Sequence, residues 1–71
     1  MEVIEAAVAA IERGDWSGLR LLLHPYVRWT GADGQTIRGR KKVLARLDEA
    51  PPTGPPRSHE LRDGQIYLWT E

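Results

Sequence analysis

Four of the five prolines in this 71-residue chain fall within six positions, Pro51-Pro52-Thr53-Gly54-Pro55-Pro56. Proline has no amide hydrogen and a fixed φ, so neither an α-helix nor a central strand crosses such a segment. It reads as a stiff connector, too compact for a flexible interdomain linker. It divides one small domain into a longer front part and a short tail.

In the front part, Ile4, Val8 and Ile11 fall at i, i+4, i+7, flanked by Val3, Ala7 and Ala10, with Glu2, Glu5, Ala9 and Glu12 opposite. This predicts a helix over 2–13, stopped by Gly14. Asp15 reads as the N-cap of a second helix over 15–23, whose apolar face is Trp16, Leu19, Leu22 and Leu23. Pro25 ends that helix and leaves His24 at its C-terminus, beside the negative end of the dipole. A strand over 26–30 turns Val27 and Trp29 one way and Tyr26, Arg28 and Thr30 the other. Gly31-Ala32-Asp33-Gly34 is a turn, and turn geometry alone explains Asp33. Gln35–Arg38 is extended or irregular. A third helix over 40–50 follows Gly39, with Val43, Leu44 and Leu47 buried and Ile37 at its entrance.

The tail is a hairpin. Asp63-Gly64 is a type I′ signal between strands over 57–62 and 65–70. A two-residue loop pairs Arg62 with Gln65, Leu61 with Ile66, Glu60 with Tyr67, His59 with Leu68 and Ser58 with Trp69. Alternation then sets His59, Leu61, Ile66 and Leu68 on one side and Ser58, Glu60, Tyr67 and Trp69 on the other. Both sides carry large apolar groups, so one is expected against the helices and the other against a partner.

Three ordered patterns, "AIERGDWSGL", "LHPYVRWTGADG" and "IRGRKKVLARL", together resemble the SnoaL-like, nuclear transport factor 2-like family over about the first fifty residues. The ending "LRDGQIYLWTE" is similar to the strand, Asp-Gly, strand ending of that family. The resemblance implies an α+β fold: three helices on a small curved antiparallel sheet of about three strands, a reduced form of the family's cone. Family members are longer and enclose a deep conical pocket; with at least two long strands missing, this cone is expected to be shallow or open along one edge. An open sheet edge is a pairing surface.

Composition removes several chemistries. Without cysteine there is no disulfide or thiolate metal site, and two histidines cannot build a histidine cage. A chain this short has a small core, so with no metal or cofactor expected, extra stability is expected from a homodimer formed through the sheet. Ten basic residues balance ten acidic ones, which gives no global attraction to nucleic acid or membrane, and neither is an expected partner. The longest apolar run, Ala6–Ile11, is far short of a membrane span, and the acidic start does not read as a signal peptide. Cytoplasm is the expected compartment.

For chemistry, the resemblance implies a catalytic carboxylate, in the steroid-isomerase branch, nine residues before the glycine that matches Gly39. That position is Thr30, which cannot be that base. The carboxylates of the family's cyclases and epoxide hydrolases lie on late strands that this chain lacks, so no catalytic residue is assigned. Trp16, Leu19, Leu23, Val27, Trp29, His59, Tyr67 and Trp69 are the expected pocket lining, for a small apolar ligand. Among them His59 is set in apolar surroundings that favour its neutral form. Arg38, Arg40, Lys41, Lys42 and Arg46 form the one charge cluster, and cations at a helix start oppose its dipole. That arrangement suits an anion site, while the helical period places Arg40, Lys41 and Lys42 on a solvated face. The sequence thus predicts a non-catalytic, self-associating domain. The alternatives are a small cyclase or isomerase built around His59, and an accessory subunit of a longer relative.

Overall fold

The structure, a computed structural model, describes residues 2–71. In chain order its elements are α1 (Val3–Arg13), α2 (Trp16–Leu22), β1 (Leu23–Thr30), β2 (Thr36–Arg38), α3 (Arg40–Glu49), β3 (Ser58–Arg62) and β4 (Gln65–Thr70). The fold is α+β, with three helices on one face of a four-stranded sheet ordered β2-β1-β4-β3.

The helical corner follows from local chemistry. The Glu2 carboxylate accepts from the amides of Ile4 and Glu5 and caps α1. At its other end Gly14 adopts φ 68°, a left-handed conformation that lets the chain return amides to the carbonyls of Ala10 and Ile11. One residue on, Asp15 accepts from the Gly18 amide at 3.0 Å and starts α2. The apolar stripe of α1 that reaches the core is Ile4, Ala7, Ala10 and Ile11, while Val8 packs at its margin.

The second helix stops earlier than its apolar pattern suggests. Leu23, His24 and Pro25 belong to β1, because Leu23 pairs with Ile66 of β4 and ladder bonds replace a further helical turn. Between Leu23 and Arg28 the pairing is irregular, which is where a strand tolerates Pro25 and its missing amide hydrogen. His24 therefore does not close a helix; its Nδ1 accepts from the Tyr26 amide at 3.1 Å.

Two further differences concern the sheet. Thr36–Arg38 pairs antiparallel with β1, making four strands instead of about three, and Thr30 and Thr36 share a hydroxyl hydrogen bond of 2.8 Å. β4 lies parallel beside β1, so the sheet is mixed and not wholly antiparallel. A parallel pair needs a long crossover, which β2, α3, the proline connector and β3 together provide.

The hairpin turn is as its residues dictate: Asp63 and Gly64 have φ 54° and 77°, both positive as a type I′ turn requires. Arg62 faces Gln65 and Leu61 faces Ile66, but the next pairs are Glu60 with Leu68, His59 with Trp69 and Ser58 with Thr70. Tyr67 is an extra residue, a β-bulge, and every pair beyond it is shifted by one. Without it, Ile66 and Trp69 would lie on opposite faces. With it both point at the helices, and burial of two large apolar groups is the physical reason for the irregularity.

The interior is centred on two indoles. Trp29 and Trp69 are each 1% exposed, with ring centroids 4.5 Å apart and planes 8° from parallel. Such stacking adds about 0.5–1.5 kcal/mol to the stabilisation from burial alone. Leu19, Leu23, Val27, Val43, Leu47 and Ile66 pack in the same cluster at 0% exposure.

The indole nitrogens differ in their surroundings. Trp29 Nε1 donates to Glu71 Oε2 at 2.7 Å, whereas the buried Trp69 Nε1 has no hydrogen-bond partner. Trp29→Phe and Trp69→Phe remove the same ring atoms, but the first breaks a bond to a carboxylate and the second removes an orphaned donor. Trp29→Phe is expected to cost about 2 kcal/mol more than Trp69→Phe in urea unfolding. Equal losses would contradict this difference.

Candidate functional site

Five of the eight expected pocket residues are not pocket walls. Leu19, Leu23, Val27, Trp29 and Trp69 are the packed core itself, at 0–1% exposure. The stacked indoles occupy the space between helices and sheet. Trp16 is half-buried at the α1–α2 corner, beside an open hollow that the connector residues Pro51, Pro52, Thr53 and Gly54 help to line. Tyr67 stands on the far face of the sheet.

His59 is corrected by the bulge. Its partner is Trp69 and not Leu68, and β3 is an edge strand whose five residues are all exposed. No apolar cleft surrounds it. Thr30, at the position that matches the isomerase base, alternates with the buried Trp29 and so faces away from the interior, bonded to Thr36.

The chemistry lies instead on the outer face and one flank. The pairing aligns Arg38, Arg28, Leu68 and Glu60 in one row across all four strands, and Thr36, Thr30, Thr70 and Ser58 in another. Tyr67 is held by cations: the Arg62 guanidinium lies 4.0 Å from its ring centroid and that of Arg28 lies 5.9 Å away. His24 meets the same ring edge-on at 5.3 Å. Tyr26, 74% exposed, joins Arg28, Arg38, Gly39 and Tyr67 around a hollow of about 440 Å³.

Across Arg38 and Gly39 that hollow meets a second open groove of about 650 Å³, lined by Arg20, Pro25, Arg38, Gly39, Arg40, Lys41, Lys42 and Leu44. The sequence cluster at the start of α3 is thus joined by Arg20 of α2. Arg46 is not part of it. The Arg46 guanidinium donates to Asp33 Oδ2 at 3.3 Å, and the other Asp33 oxygen accepts from the Gln35 amide at 3.0 Å. Arg20 could not have been grouped with α3 from spacing, because contact between α2 and α3 makes the neighbourhood. Among the described residues no three histidine, aspartate or glutamate side chains gather as metal ligands.

The described helices include none long and apolar enough to cross a membrane. Comparison with known proteins agrees with the architecture. A family model described as a SnoaL-like domain matches residues 4–67. Among solved structures, a nuclear transport factor 2-like protein of unknown function from Burkholderia pseudomallei superimposes with a TM-score of 0.77 at 19% identity, over 99% of this chain and 86% of its own. A similar protein of unknown function from Burkholderia xenovorans gives 0.75 at 17% identity, covering 97% and 77%. A Kribbella flavida protein named as a candidate ketosteroid isomerase gives 0.71 at 16% identity, covering 97% and 76%. These superpositions show a shared fold. No curated protein matches the sequence.

The turn carboxylate has a measurable signature. The Gln35 amide first, then the Arg46 guanidinium, hold Asp33 below its ordinary value of 3.8. A lowered folded value stabilises the native state above the unfolded value, and the contribution disappears as pH falls through the folded one. Asp33→Ala is therefore expected to lower the Tm at pH 7, with the gap to wild type narrowing below pH 3.8. A gap that stays constant from pH 7 to pH 2.5 would contradict the assignment.

Proposed function

Since the chain belongs to the SnoaL-like domain family, we propose that it is a non-catalytic member that acts by self-association through the outer face of its sheet. The filled interior carries the first half of this reading: the stacked Trp29 and Trp69 stand where an enclosed reaction chamber would be needed. Among the described residues no charged side chain is fully buried in that space, and the one carboxylate that meets the stack, Glu71, is engaged with Trp29 Nε1 at its margin. A small apolar ligand is left the open hollow of about 340 Å³ along α1, lined in part by Ile4, Val8, Ala9 and Pro55.

The charge order on the outer face supports the second half. The row Arg38, Arg28, Leu68, Glu60 is cationic at the β2 end, apolar at β4 and anionic at β3. A second copy turned about an axis parallel to the strands sets Glu60 over the partner's Arg38 and Leu68 over the partner's Arg28. The hydroxyl row meets itself in the same way. Such an isologous interface is self-complementary.

Its area limits its strength. Strands about 4.8 Å apart and residues rising about 3.3 Å give a four-strand face of roughly 20 Å by 20 Å. That is smaller than the roughly 800 Å² per partner of a standard stable interface, so the dimer is weak and its ion pairs are screened by salt. Sedimentation equilibrium is expected to show a concentration-dependent dimer that weakens at least tenfold from 50 mM to 500 mM salt. Glu60→Lys, which places a cation over a cation, should leave a folded monomer. A wild-type chain that stays monomeric at millimolar concentration in low salt would overturn the proposal.

A further inference from the structure

The groove on the α2–α3 flank holds five cationic side chains, Arg20, Arg38, Arg40, Lys41 and Lys42, from three separate elements, and no carboxylate lines it. Among the described residues the ion pairs are Arg13 with Asp15 and Arg46 with Asp33, so none of the five is neutralised. In a chain of zero formal charge this is a strong local segregation. It also has an energetic penalty in the unliganded protein. Arg40, Lys41 and Lys42 occupy the first turn of α3, where cations oppose the helix dipole and repel one another. An anion in the groove is attracted to the cations and to the positive end of the helix dipole, which offsets both penalties.

The groove also has apolar lining. Pro25 and Leu44 contribute to its wall, and the long stems of the basic residues add methylene surface. Its volume, about 650 Å³, is in the range of sites for organic ligands and far exceeds a single inorganic ion. We propose that this groove binds a phosphorylated organic molecule carrying two or more negative charges. The phosphates sit among Arg20, Arg40, Lys41 and Lys42, and the organic part lies against Pro25 and Leu44. Arg38 stands at the boundary with the sheet face. The other four cations lie off the strands, so the site keeps them when Arg38 is engaged in the proposed self-association.

Isothermal titration at 0.15 M salt tests it, with ATP, pyrophosphate, adenosine and a single-stranded 12-nucleotide DNA as probes. ATP is expected to bind at least tenfold more tightly than adenosine and more tightly than pyrophosphate. The variant R40E/K41E/K42E should lose ATP binding by at least tenfold while its Tm rises, since acidic residues suit a helix start. That rise separates lost binding from lost folding. Absence of ATP binding to wild type, undiminished binding to the triple variant, or pyrophosphate matching ATP would each overturn the proposal. So would the oligonucleotide outcompeting ATP at equal phosphate concentration, which would assign the groove to nucleic acid.

Discussion

The parallel stack of Trp29 on Trp69 joins the first strand of the front part to the last strand of the tail. These strands are sequence-distant and pair only because the crossover returns β4 to the centre of the sheet. The indoles lie opposite each other in that pairing, and the core residues of α1, α2 and α3 close over them. In so small a chain a cluster of this size is a large share of the available burial. The same stack fills the centre of the interior with buried side chains. Stability and an enclosed pocket compete for one volume, and the indoles contribute to the first.

With the inside filled, what the protein presents to its surroundings is set by the residues that alternate with the core. Arg28 and Thr30 face outward because Val27 and Trp29 face inward, and Tyr67 faces outward because a bulge is needed to turn both Ile66 and Trp69 inward. The outer face and the basic flank are thus by-products of core placement as well as candidate surfaces for recognition. Their use of charge differs. On the sheet, opposite signs sit at opposite ends of one row, which suits a second copy; on the flank, one sign accumulates, which suits an anion.

Much of the architecture was legible where the determinants are local. Gly14 and Asp15 specify the end of one helix and the start of the next within two residues, and the alternation around Val27 and Trp29 correctly gives the inward face of β1. The order of three motifs identifies the family. Non-local pairing hid the rest. Leu23 belongs to a helical apolar pattern but is drawn into a strand by Ile66, and Thr36–Arg38 becomes a strand only because β1 lies beside it. The hairpin count from Asp63-Gly64 holds for two pairs and then fails at Tyr67, which moved His59 into a cleft it does not occupy. The basic groove was half visible, as the run from Arg38 to Lys42, but Arg20 and Pro25 reach it through tertiary contact.

Two stacked indoles fill the space between helices and sheet and keep water from it. Trp69 Nε1 reports on it directly, being buried without any hydrogen-bond partner. Hydrogen exchange of that indole proton, followed by NMR, is expected to be slow and limited by unfolding, since neither water nor base reaches it in the native state. Exchange at the rate of an exposed indole would show solvent beside the stack and an open chamber where the structure has a core.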